Sequence, residues 1–280
     1  MIRIDIQKKI DYKVTLAIEE LLQTARTQQL HPCELLLVQQ HGHFWNINGK
    51  KEYMIGPGEV GLSAFSHINY IYRQARTFHW QENLDYKTIN KNQLTAIEDT
   101  IHSEKLLYLK IWENNYLLEL FTQLSILAQG KHYDWDLEIP TTQKSNTKAD
   151  HIRNNIKNPL QNLCPKFYEI LNKSYSQQLR NAIAHSQYEF IQGGIKYLNY
   201  NPSKFCTIEA MGYTDWEERI AYTFAIFFGL HRLMDIIQEA YAKKTLAQGN
   251  SIEVKIPYKD GYAYQFLTYI ENQKRWVFKH

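Results

Sequence analysis

Cysteine is scarce in this chain. Its 280 residues hold three, Cys33, Cys164 and Cys206, far apart and odd in number. No Cys-x-x-Cys pair exists, so neither a zinc ribbon nor a redox dithiol is encoded, and a reducing compartment fits best. The first residues, Met-Ile-Arg-Ile-Asp-Ile-Gln-Lys-Lys, lack the apolar core of a signal peptide. The most apolar stretch, Ala221 to Leu230, is about half the length a bilayer span requires. The expectation is a cytoplasmic protein that makes no use of a membrane. Runs of one charge are also missing. The net charge is +3 and the basic residues are scattered, a balance that permits an anionic partner without requiring one. There is no Gly-rich phosphate loop, no serine-hydrolase elbow and no internal repeat.

What is present belongs to a globular protein with a substantial core: 44% hydrophobic and 22% charged residues. The 20 tyrosines serve a core, an interface or base stacking equally well. Alternation over Ile2 to Ile6 predicts a short strand, and the apolar face of Lys13 to Thr27 a helix ended by His31-Pro32. Leu35 to Gln39 reads as a strand. Phe44 to Ile55 reads as a hairpin turning at Asn48-Gly49, Pro57-Gly58 as a turn, and Leu62 to Thr77 as a helix. Glu104 to Gln129 is the longest regular pattern, expected as one helix stopped by Gly130. Pro140 to Ala149 is polar and reads as a mobile loop. A helical stretch from about Asp150 is interrupted by Pro159 and Pro165, the latter suited to open a new helix that continues to about Gln187. Gly193-Gly194 marks a hairpin, Trp216 to Tyr241 a long apolar helix, and Ile252 to Phe278 two or three strands with turns at Lys259-Asp260-Gly261 and Glu271-Asn272.

The segment Leu179-Arg180-Asn181-Ala182-Ile183-Ala184-His185 is the most informative. On a helix Asn181 and His185 lie one above the other, and Arg180 sits about 100° round, beside the apolar ridge of Leu179 and Ile183. Arginine offers a planar fork of donors that fits a phosphate. Histidine gives or takes a proton near neutral pH. Asparagine can orient the imidazole or hold a ligand oxygen. Together they suit cleavage of a phosphodiester by its own 2′-hydroxyl, which needs proton transfer and stabilisation of charge on phosphorus but no metal. An in-line reaction wants an acid and a base on opposite sides, so the single histidine predicts a homodimer with a composite site.

The stretch Arg-Asn-Ala-Ile-Ala-His-Ser-Gln-Tyr, with the elements Glu104–Gln129, Pro140–Ala149, Pro165 and Trp216–Tyr241, resembles the HEPN family of helical nucleases. The resemblance covers about half the chain. It implies a metal-independent endoribonuclease of toxin–antitoxin, abortive-infection or antiviral defence systems, without a cofactor. Arg180, Asn181 and His185 would carry the chemistry, RNA would be the substrate, and an antitoxin or defence complex the partner. One branch of the family has Tyr two residues after the His. Here Gln187 stands there and Tyr188 follows, so that branch's Tyr-linked roles are not carried over.

Other candidates carry weaker signals. His41-Gly42-His43 lacks a third ligand and reads as hairpin decoration. His231-Arg232 reads as helix surface, and Asp215, Glu217 and Glu218 as a helix-start cluster placed for the dipole. The expected fold is α+β, mainly α. A mixed α/β unit occupies 1–92, an HEPN-like helical bundle 93–245 and a β-rich tail 246–280. The rival function is a non-catalytic module that binds nucleotide or protein. An exposed His185 favours catalysis. A buried His185 bonded within its own chain favours the rival.

Overall fold

A computed structural model describes residues 3–56, 66, 69, 90–140, 147–204, 206–258 and 261–279. The fold is α+β and mainly helical. Its residues group into two compact units. One comprises Met1–Leu16, Ser63–Asn114 and Tyr168–Gly229, the other Ala17–Leu62, Asn115–Phe167 and Leu230–His280. Both are assembled from separated segments, whereas the sequence reading expects consecutive stretches at 1–92, 93–245 and 246–280.

The first helix, α1 (Ile4–Gln28), begins where a strand is expected. Five alternating residues fit either period. The longer series Ile10, Val14, Ala17, Ile18, Leu21, Leu22 and Ala25, all buried, resolves the choice in favour of helix. The same ambiguity of a short apolar run explains α2 (Glu34–Gln40), predicted as a strand. The strands β1 (His43–Ile47) and β2 (Lys50–Met54) form the expected hairpin, with Ile47 opposite Lys50. Asn48 and Gly49 both take positive φ, as a two-residue type I′ turn demands.

Glu104–Gln129 is not one helix. α3 (Lys91–Trp112) opens with a capping box between Asn90 and Gln93 and ends at Glu113, and α4 (Asn115–Ala128) starts afresh. The Glu113-Asn114-Asn115 sequence supplies the interruption, since Asn side chains compete with helical backbone bonds. Gly130, at φ +68°, closes α4 as expected, with Lys131 N–H reaching Ile126 O at 3.2 Å. Residues 141–146 of the expected mobile loop, the Pro57-Gly58 turn, Lys259-Asp260 and nearly all of Leu62–Thr77 lie outside the described residues. Helix α5 (Lys148–His151) runs through a π-helical segment (Ile152–Lys157) into α6 (Asn158–Leu163).

Pro165 opens α7 (Pro165–Ser174) as predicted, but this helix stops at Ser174 and α8 (Gln177–Ala184) begins after it. The strands β3 (Tyr188–Ile191), β4 (Gly194–Tyr197) and β5 (Ala210–Gly212) make an antiparallel sheet. Gly194 is required there, because a Cβ would lie 2.6 Å from Met211 O. Helix α9 (Tyr213–Leu246) outruns its expected span at both ends. It is long and apolar enough to cross a membrane, yet 67% of its most apolar window is buried inside the protein, as in a core helix. The strands β6 (Ser251–Tyr258), β7 (Gly261–Ile270) and β8 (Arg275–Phe278) complete the chain in an antiparallel sheet.

Candidate functional site

The first unit holds Arg180, Asn181 and His185, and its core explains their placement. In α3, Ile97, Ile101, Leu107, Tyr108, Ile111 and Trp112 are buried, and Trp112 lies tilted against Tyr175 with ring centroids 5.0 Å apart. Tyr108 is buried beside Trp216. Its hydroxyl accepts from Ser176 N–H at 2.8 Å and donates to Ser176 O at 3.4 Å. One phenol thus ties α3 to the break between α7 and α8. Ser176 caps α8 with its own hydroxyl, and Gln178 exchanges both amide bonds with Ile208 (2.7 and 2.9 Å). The start of α8 is therefore held from two sides.

Its end is held by backbone. Ser186 takes φ +53°, its N–H bonds Ile183 O, and Gln187 N–H bonds Ala182 O at 2.8 Å, a Schellman closure that makes His185 the C-cap. Leu179, Ala182 and Ile183 are buried. Arg180 and Asn181 are half-buried, and His185 is exposed. Among the described residues the His185 ring has no hydrogen-bond partner. Asn181 Oδ1 accepts from Arg180 Nη1 at 2.9 Å, so the asparagine bonds the arginine and not the imidazole. Arg180 Nε donates to Glu113 Oε1, an ion pair whose side chains are 22% and 30% exposed. That carboxylate pushes the guanidinium's already high pKa further up.

Glu113 is the functional neighbour that sequence reasoning misses. It sits at the α3–α4 break, where an unbroken helix is expected, and its only signal is the pair of asparagines that follow. A second missed feature lies beside β3. Lys105 is buried, its Nζ 3.4 Å from the Tyr188 ring centroid and 4.4 Å from that of Phe190. His102 Nδ1 lies 3.1 Å from the Tyr188 hydroxyl. Tyr188 is thereby engaged with α3.

The weaker candidates are redistributed. Glu217 is buried and accepts from Arg3 N–H at 2.6 Å, so beyond its place near the helix start it is an ion-pairing group inside the unit. His231, in the second unit, is half-buried and lies parallel to Tyr116 with centroids 6.4 Å apart, which corrects its reading as helix surface. His41 is buried at the end of α2 and only His43 is on a strand, which corrects their shared reading as hairpin decoration. Among the described residues no three His, Cys, Asp or Glu side chains are grouped to hold a metal ion. Comparison with protein-family models, curated proteins and solved structures finds no match. The arrangement itself offers a charged guanidinium in a fixed orientation and, one helical turn on, a solvent-facing imidazole.

Proposed function

We propose that this protein is a metal-independent endoribonuclease of HEPN type, in which Arg180, Asn181 and His185 form the active site. The observation that carries the reading is the state of His185. It is exposed, unbonded among the described residues, and carried at the end of a helix whose start is held by Tyr108 and Gln178 and whose end is closed by the Schellman bonds. A structural histidine would be buried and bonded within its chain. Glu113 and Asn181 occupy Nε and Nη1 of Arg180, which orients the remaining face of the guanidinium toward a phosphate.

In the proposed reaction the 2′-hydroxyl attacks the adjacent phosphorus, the P–O5′ bond breaks, and the products are a 2′,3′-cyclic phosphate and a 5′-hydroxyl. His185 moves the proton. Arg180 stabilises charge on the non-bridging oxygens. A homodimer brings a second His185, so that one imidazole serves as base and the other as acid. A cytoplasmic defence or toxin effector, paired with an antitoxin or defence complex, is the setting this chemistry fits.

Cleavage of tRNA and total RNA in excess EDTA tests the reading, with wild type beside His185→Ala and both shown to be folded. The wild type is expected to cut and leave cyclic phosphate ends, and the variant to be inactive. Equal cutting by both proteins removes His185 from the chemistry. Cutting by neither favours the nucleotide- or protein-binding module.

A further inference from the structure

The second unit contains a cavity of about 380 Å³ that the proposed nuclease reaction does not use. His41 lines it. This residue is 8% exposed, and its ring is stacked on Tyr116 with centroids 3.9 Å apart. Its Nδ1 faces Glu119 Oε2 at 3.9 Å, while its Nε2 is buried and, among the described residues, has no hydrogen-bond partner. Burial pushes the His41 pKa down to about 3, so the ring is neutral, and pushes the Glu119 carboxyl up to about 7. Two polar side chains thus meet the cavity without a countercharge.

The walls are aromatic and rigid. Trp135 lies against Phe44 (centroids 5.7 Å apart) and Tyr133 (5.6 Å). A Cβ on Gly42 would lie 3.0 Å from its indole, and Phe44 N–H bonds Trp135 O. Tyr133 donates to Gly42 O at 2.6 Å, and Gln123 bonds both backbone groups of Asp134. The rim is acidic. Asp134, Asp136 and Glu138 line it with Glu119, and among the described residues no lysine or arginine does. The chain's own Lys51 shows what this edge accepts. Its ammonium pairs with Asp136 at 2.5 Å and stands 4.3 Å over the Phe44 ring.

We propose that the cavity binds a small organic cation of the polyamine or guanidinoalkylamine class, its charged head at the Glu119 carboxylate and its carbon chain along Phe44 and Trp135. Aromatic faces attract such a cation and its methylenes alike. Four carboxylates disfavour a phosphate or carboxylate ligand. A divalent metal would need a convergent set of donors that the described residues do not form.

Calorimetric titration of the full chain with putrescine, spermidine and agmatine tests the proposal, with 1,4-butanediol as the uncharged counterpart of putrescine. At least one amine is expected to bind saturably at one site per chain, and the diol not to bind. Glu119→Gln should weaken the amine about tenfold or more through loss of a charge-assisted hydrogen bond. Should Glu119→Gln fail to fold, Asp136→Asn with Glu138→Gln, both at exposed rim positions, replaces it. A several-fold loss and a shallower salt dependence are then expected. The proposal is overturned if none of the three amines binds saturably or if the diol binds as well as the diamine. It is equally overturned if the folded variant binds like the wild type.

Discussion

Arg180 Nε donates to the carboxylate of Glu113, a residue 67 positions earlier that ends α3. The contact crosses from one helix to another and fixes which edge of the guanidinium remains for a ligand. In the proposed active site Glu113 is therefore a positioning residue. Glu113→Gln keeps an acceptor for Nε but loses the charge, and Glu113→Ala loses both. RNA cleavage is expected to fall in the order wild type, Gln, Ala, with the alanine variant about tenfold to a hundredfold down, the range for a hydrogen bond to a charged group. Melting temperatures measured alongside separate this from unfolding. Equal activity in all three would remove Glu113 from the site.

The clamp by Tyr108 makes a prediction about stability. Tyr108→Phe keeps the ring against Trp216 but leaves Ser176 N–H and C=O without their partner. Loss of these bonds costs about 1–3 kcal/mol. For a chain of this size that lowers the melting temperature by about 2–4 °C per kcal/mol. Because Ser176 caps α8, hydrogen exchange should rise first in Gln177–Ala184. An unchanged exchange rate there would show that α8 does not depend on the clamp.

Lys105 gives the chain a pH dependence. Burial pushes its pKa from 10.5 down to about 7, while the faces of Tyr188 and Phe190 favour the cation and act against that shift. From about pH 7 or somewhat above, up to about 10, the unfolded chain holds this proton and the folded chain does not. Stability from this group therefore rises with pH across that window. Lys105→Met is expected to melt higher than the wild type at pH 7, and the gap should narrow toward pH 10. A gap that stays constant across thermal melts at pH 7, 8, 9 and 10 would refute the assignment.

The composite site predicts a concentration dependence. If each reaction uses a His185 from both copies, specific activity falls as the protein is diluted below its dimer dissociation constant. Light scattering on eluted protein, paired with RNA cleavage over the same dilution series, checks this. A monomer with undiminished activity would leave only one imidazole available and remove the two-histidine mechanism.

Legibility in the sequence followed the length over which a pattern was sustained. The helix around Lys13–Thr27, the long apolar helix near the end, the hairpin turn at Asn48-Gly49, the hairpin at Gly193-Gly194 (its turn residues being Gln192 and Gly193), the Pro165 start and the Gly130 stop were readable. Each rests on many periodic residues or on backbone geometry that few residue types accept. Ile2–Ile6 and Leu35–Gln39 were misread, because stretches of only five residues with three or four apolar ones fit helix and strand equally. The breaks at Glu113-Asn114 and Tyr175-Ser176 were missed for the opposite reason. The hydrophobic period runs on across each, the asparagines after Glu113 being the one local signal of the first, while the bond of Tyr108 to Ser176 marks the second in the tertiary structure.

The sequence alone determined that Arg180, Asn181 and His185 lie close together along a helical segment beside a buried ridge, since spacing along a helix is a local property of the chain. It also determined a mainly helical α+β fold, through the balance of apolar periods. Only the tertiary structure decided that Asn181 bonds Arg180 and leaves His185 free, that Glu113 orients the guanidinium, and that His41, Glu119 and Trp135 surround one cavity. Those relationships join residues far apart in the chain. They arise when buried polar groups must find partners in three dimensions, a requirement no local pattern encodes.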